Sequence, residues 1–189
     1  LNILIENYQA FEEKRIKNRF FKHPELLKIL NKLKKNSAFS LKEAGRSTNG
    51  LSINLITWGK GARRVFLWSQ MHGDEATATM SIADLLNFLS EPGQFRQIHD
   101  LLAEKCTLYI LPMVNPDGAE VFKRRNAMDI DINRDFHRQQ SPEGRMLRHL
   151  RDEIKPHFGF NLHDQSTLWS AGNTGNPATI SLLAPAYDE

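Results

Sequence analysis

The sequence predicts an α/β fold, a mixed, mostly parallel sheet flanked by helices and preceded by an N-terminal helical segment. Three observations carry this. Short apolar runs rich in β-branched and aromatic residues recur along the chain, each closed by turn residues. Between them lie stretches whose apolar residues fall at helical spacing. The two kinds alternate, which is the pattern of a sheet with helices packed on its faces. Residues 1–45 are expected to form the helical segment and 46–189 the sheet-bearing domain.

In HPELLKILNKLKKN, residues 23–36, Leu26, Leu27, Leu30 and Leu33 share a helical stripe, with Pro24 in the first turn and lysines in the last. SLKEAGRSTNG, 40–50, reads as a linker with turn residues. LSINLITW, 51–58, alternates as a strand does; GKGARR reads as a turn and VFLWSQ, 65–70, as a short buried strand. Residues 77–89 are expected to be helical, ended by SEPG, and a second helix is expected over 95–103. CTLYILPMV, 106–114, is another buried strand. In SPEGRMLRHLRDEIK, 141–155, Ser141 is the expected N-cap, Pro142 the first helical residue and Glu143 part of the first turn. FGFNLH, 158–163, and ATISLLAPA, 178–186, close the pattern as strands.

Composition narrows the function classes. The single cysteine, Cys106, excludes a disulfide within the chain and reads as a small buried apolar residue. No apolar run approaches the roughly 18 residues of a membrane span, so no membrane partner is expected. The start, LNILIENYQAFEEKR, lacks the order of a secretory leader, and a cytoplasmic location is the expectation. The net charge of +3 is uneven, with nine Lys/Arg against four Asp/Glu in residues 1–35 and sixteen against eighteen in the rest. That surplus reads as the solvated face of helices. Without aromatic–basic interleaving, no nucleic-acid partner is expected.

The chemistry gathers where strands end. In FLWSQMHGDEATATM, residues 66–80, His72 and Glu75 flank a tight Gly73-Asp74 turn between a strand and a helix. In α/β sheets ligands collect at the carboxyl ends of strands, and His72, Asn115 and His163 all fall there. Catalytic zinc commonly takes two histidines and a carboxylate, which His72, Glu75 and the distant His163 supply. His23, His99, His137, His149 and His157 read as surface residues. Downstream of VNPDG, the stretch KRRNAMDIDINRDF concentrates Arg124, Arg125, Asn133 and Arg134. A guanidinium beside an amide is what bidentate recognition of a carboxylate requires.

In this order, HGDE, NPDG, RRNAMDIDINRDF and NLHDQ resemble the zinc metallocarboxypeptidases, over about residues 51–165. The resemblance implies one zinc ion held by His72, Glu75 and His163, with Asp131 orienting a zinc-bound histidine. It implies that Asn133 and Arg134 hold the terminal carboxylate of a peptide, and that Arg124 polarises the scissile carbonyl, Arg125 being out of register. The family's general-base glutamate, a tyrosine and the specificity pocket lie far beyond the second zinc histidine. No residue here matches that glutamate, Glu189 included. The expectation is therefore the N-terminal portion of a carboxypeptidase catalytic domain, inactive in isolation, with a shortened inactive relative as the other form. Two further readings stay open. One is a zinc-dependent N-acyl-amino-acid hydrolase of similar fold; the other is a non-catalytic module that binds a carboxylate or a partner through the basic leading helices.

Overall fold

The computed structural model describes residues 2–164, 170, 172 and 174–176. In chain order the elements are α1 (Asn2–Glu6), α2 (His23–Leu33), β1 (Phe39–Arg46), β2 (Ser52–Gly59), β3 (Arg63–Ser69), α3 (Thr77–Ser90), α4 (Arg96–Lys105), β4 (Cys106–Leu111), α5 (Pro116–Val121), α6 (Ile132–Asp135), α7 (Pro142–Ile154) and β5 (Phe158–Leu162). The five strands form one sheet in the order β1-β2-β4-β3-β5. It is mixed. β1–β2 and β2–β4 are antiparallel, whereas β4–β3 and β3–β5 are parallel. Parallel neighbours need a crossover, supplied by α3 and α4 between β3 and β4, and by the whole stretch from α3 through β4 to α7 between β3 and β5.

Each face of the sheet has its own core. On one face Ile56, Trp58 and Ile110 pack with Leu26, Leu30 and Leu33 of α2 and with Ile82, Leu86 and Leu89 of α3. On the other, Leu55, Phe66 and Leu111 pack with Leu147, Leu150 and Ile154 of α7. Adjacent residues such as Leu55 and Ile56 are therefore both buried, in opposite cores, which is why these strands read as continuous apolar runs. Leu162 lies opposite Ser69 in the β3–β5 ladder. Two parallel neighbours thus end at the same edge, bringing together chain segments far apart in sequence.

Several expectations change. The stretch expected as a linker is largely strand β1, paired with β2 from Phe39↔Trp58 to Arg46↔Ser52, and it runs through the expected boundary at residue 45. β1 lies at the sheet edge with no buried residue, so it carries no apolar pattern to read. Arg63 and Arg64, expected in a turn, begin β3. NPDG, whose residues read as a turn leaving a strand, instead starts helix α5, with Asn115 as the cap and Pro116 to Gly118 as its first residues. His23 is buried rather than at the surface, with Nε2 2.8 Å from the Ser52 carbonyl. The strand expected over 178–186 lies outside the described residues. Among those described, no helix is long and apolar enough to cross a membrane.

Candidate metal centre

Strand β3 delivers the chain into a turn with little freedom. Gln70 adopts a positive φ of 48° and is fully buried; its side chain donates to Gly73 O at 3.0 Å and accepts from Thr79 Oγ1 at 2.8 Å. Gly73 N donates to Arg124 O at 3.3 Å. The turn aims His72 and Glu75 at one point. His72 Nδ1 lies 2.7 Å from Glu75 Oε1, and His163 Nδ1, just past the end of β5, lies 2.6 Å from Glu75 Oε2. One donor atom from each of His72, Glu75 and His163 falls within 4.8 Å of the others.

Around this trio the loop 123–136 supplies charge. Asp131 Oδ1 sits 3.2 Å from His72 Nε2 and accepts from the N–H groups of Asn133 (3.0 Å) and Arg134 (3.3 Å), capping α6. Its other oxygen accepts from Arg124 Nε (3.1 Å) and Nη2 (3.0 Å), while Arg124 Nη1 reaches Glu75 Oε1 at 3.3 Å. Burial pushes the Glu75 carboxyl up, but the hydrogen bonds and charges of His163 and His72 outweigh it and bring it down to about 2. At Asp131 burial is likewise overcome by His72 and Arg124, and the net shift is downward. Asp164 moves the other way, raised chiefly by burial and by the Glu75 charge; it caps α3 by accepting from Thr77 N at 3.1 Å.

The structure thus gathers His72, Glu75, His163, Arg124 and Asp131 into one network. Asn133 stands at its margin, 3.5 Å from Asn161 Nδ2, and helps line a cavity of about 310 Å³ whose apolar wall includes Phe66, Trp68 and Met71. Arg134 is exposed beside it. Arg125 turns away and donates to Asp129 O within its own loop, at 2.8 Å. Asn115 lies at a strand end as expected but is fully buried, tying Met71 O (3.3 Å) and Arg124 O (3.2 Å) together beneath the centre. Sequence reading passed over two neighbours. Asp164 N donates to Glu75 at 3.3 Å, and Arg19, stacked over Phe122, approaches Asp164 at 3.9 Å. A carboxylate next in sequence to a candidate ligand was the available signal for the first; Arg19 had none.

A sheet of this order with two histidines and a glutamate converging at its strand ends defines a class, and the chain belongs to it: the zinc carboxypeptidase family, whose model matches residues 26–173. The chain is similar to carboxypeptidase SOL1 of Arabidopsis thaliana, 35% identical over 117 residues, which cover 59% of this chain and 24% of that protein. It is similar also to probable carboxypeptidase 2 of Arthroderma benhamiae, 31% identical over 114 residues, covering 60% and 20%. Its fold matches a metallo-carboxypeptidase from Burkholderia cenocepacia with a TM-score of 0.71 at 23% identity, over 77% of this chain and 41% of that one. The chain spans a quarter or less of the length of those two curated relatives.

Proposed function

We propose that this chain carries the metal-binding and carboxylate-binding residues of a zinc-dependent carboxypeptidase, which hydrolyses the C-terminal peptide bond of peptides. The observation that supports this most directly is the meeting of one donor atom each from His72, His163 and Glu75 within 4.8 Å, with Nδ1 of each histidine turned to the Glu75 carboxylate. The donor set fits zinc, as two imidazoles and one carboxylate are a common catalytic set. The surroundings fit too, since Asp131 faces His72 Nε2 and so favours the tautomer that leaves Nδ1 free to ligate. Bound there, zinc supplies a Lewis acid that polarises a carbonyl and acidifies water.

The remaining roles belong to the chain. Asn133 and Arg134 receive the free carboxylate of the substrate, an amide beside an exposed guanidinium fork. Arg124 is braced by Asp131 on one side and 47% exposed on the other, where it can meet oxyanion charge developing on the scissile carbonyl. No residue of this chain matches the family's proton-accepting glutamate, so the 189-residue chain is expected to bind zinc and to hydrolyse peptides poorly.

Titration of the purified chain with zinc against a chromophoric chelator tests the reading. One equivalent should bind, and His72→Ala or His163→Ala should each weaken binding by well over ~100-fold, more than loss of an outer partner would. Zinc binding that is absent, or unchanged in both variants, would overturn the metal centre. Robust zinc-dependent release of C-terminal residues by the chain itself would overturn the part concerning the missing base. Preference for N-acyl amino acids over peptides would redirect the substrate assignment.

A further inference from the structure

One fully buried carboxylate near the centre has no part in the roles above. Glu143, in the first turn of α7, is 0% exposed, and its partners among the described residues are neutral donors. Oε1 accepts from Thr48 N at 2.8 Å and Thr48 Oγ1 at 3.2 Å; Oε2 accepts from Asn126 Nδ2 at 2.9 Å. Asn126 is itself buried, and its side-chain oxygen accepts from the N–H groups of Met128 (3.0 Å) and Ile130 (2.9 Å). These contacts allow the amide a single orientation. Turned over, its NH2 would confront two backbone N–H groups and its oxygen a carboxylate.

The Asn126 side chain is the hub of the loop 126–130. Asp129 N donates to Asn126 O at 2.9 Å and Asn126 N to Ile130 O at 3.0 Å, with Asp129 held at a φ of 57°. Arg124 lies just before this loop and Asp131 just after it. The loop therefore sets how Asp131 meets His72 Nε2 (3.2 Å) and Arg124 Nε (3.1 Å). We propose that Glu143 is a positioning residue of the metal centre, acting through the orientation of the Asn126 amide on the loop that holds Asp131 against His72 and Arg124. The proposal rests on the reading of His72 as a metal ligand.

Interchanging the two groups provides the test, using Glu143→Gln, Asn126→Asp and the double variant in the 189-residue chain. In Glu143→Gln the new amide can accept from Thr48 or from Asn126 but not from both, and its NH2 faces the donor it fails to satisfy. Zinc affinity should fall about tenfold, the lower end for disturbing an outer partner of a ligand, and amide hydrogen exchange at Met128 and Ile130 should quicken. Asn126→Asp sets two carboxylates face to face and should do the same. The double variant exchanges donor and acceptor while satisfying every partner, so affinity and exchange should both return to near wild type. A merely structural role would lower the unfolding midpoint and leave the zinc affinity of the folded chain untouched.

A folded Glu143→Gln with wild-type zinc affinity overturns the proposal, as does a double variant no better than the single. If Glu143→Gln does not fold, the double variant alone decides, by folding and binding zinc normally or not. Loss of zinc binding by the wild-type chain would bring down the metal-ligand reading and this role with it. Equal binding by wild type and Glu143→Gln would bring down this role alone.

Discussion

Gly73 stands between His72 and Glu75 with no room for a methyl group. A Cβ there would lie 2.1 Å from the backbone carbon of Gly118 and 2.4 Å from Ala119 N. Both are backbone atoms of α5, which cannot rotate aside as a side chain would, and the helix start is itself tightly packed, since a Cβ at Gly118 would lie 2.5 Å from Asn115 Nδ2 and 2.7 Å from Lys123 O. Gly73→Ala is therefore expected to push the turn off α5, lower the unfolding midpoint and abolish zinc binding. Gly50 makes the control, since its φ of 84° gives strain but nothing lies within 4 Å of an added Cβ. Gly50→Ala should cost about 1–2 kcal/mol and leave zinc affinity intact. Paired zinc titrations and thermal melts check both. At this scale the sequence shows residue types and spacing, so His72, Glu75 and His163 could be singled out. It cannot show that Glu143 meets Asn126, because their pairing depends on where α7 docks, and no local pattern encodes that.

Elements were legible in proportion to how local their causes are. The start of α7 could be read from Ser141 and Pro142 because capping is settled within four residues, and Ser141 Oγ does accept from Gly144 N at 2.9 Å. The edge strand β1 could not be read, since its cause is the neighbouring β2 and not a buried face of its own. Sheet order is also non-local: β5 lies beside β3 although five helices and a strand separate them. Ser141 carries a prediction of its own. Its hydroxyl also donates to Asp135 Oδ2 at 2.7 Å, and Asp135 is 2% exposed. Ser141→Ala removes a helix cap and one of the donors to a buried carboxylate. The expected loss is about 1–3 kcal/mol, measured by urea unfolding, and a loss under half of that lower bound would show that neither bond matters. Ser141→Thr, which retains the hydroxyl, should recover part of it.

Across the whole molecule, the basic leading residues form a layer packed onto the domain. Phe11 meets Phe88 of α3 edge-on at 5.1 Å, Asn87 Nδ2 donates to Phe11 O at 3.1 Å, and Phe21 lies in the core shared by α2 and α3. Asp84 of α3 anchors the segment twice, accepting from Glu13 N at 2.6 Å and from the Tyr8 hydroxyl. That second bond raises the Tyr8 hydroxyl from 10.0 to about 12, with burial and the Asp84 charge adding to it. A group raised in the folded state stabilises the fold fully below its unfolded value and loses that contribution as pH climbs through the folded value. The Tyr8–Asp84 contribution should thus be constant from neutral pH to about 10 and fade between 10 and about 12. Tyr8 is 47% exposed, so solvent screening keeps the effect below about 1 kcal/mol. Tyr8→Phe should lower the unfolding midpoint slightly at pH 8, and its difference from wild type should shrink by pH 11. A difference that stays constant over that span would mean that the ring, and not the hydroxyl, holds this segment to α3.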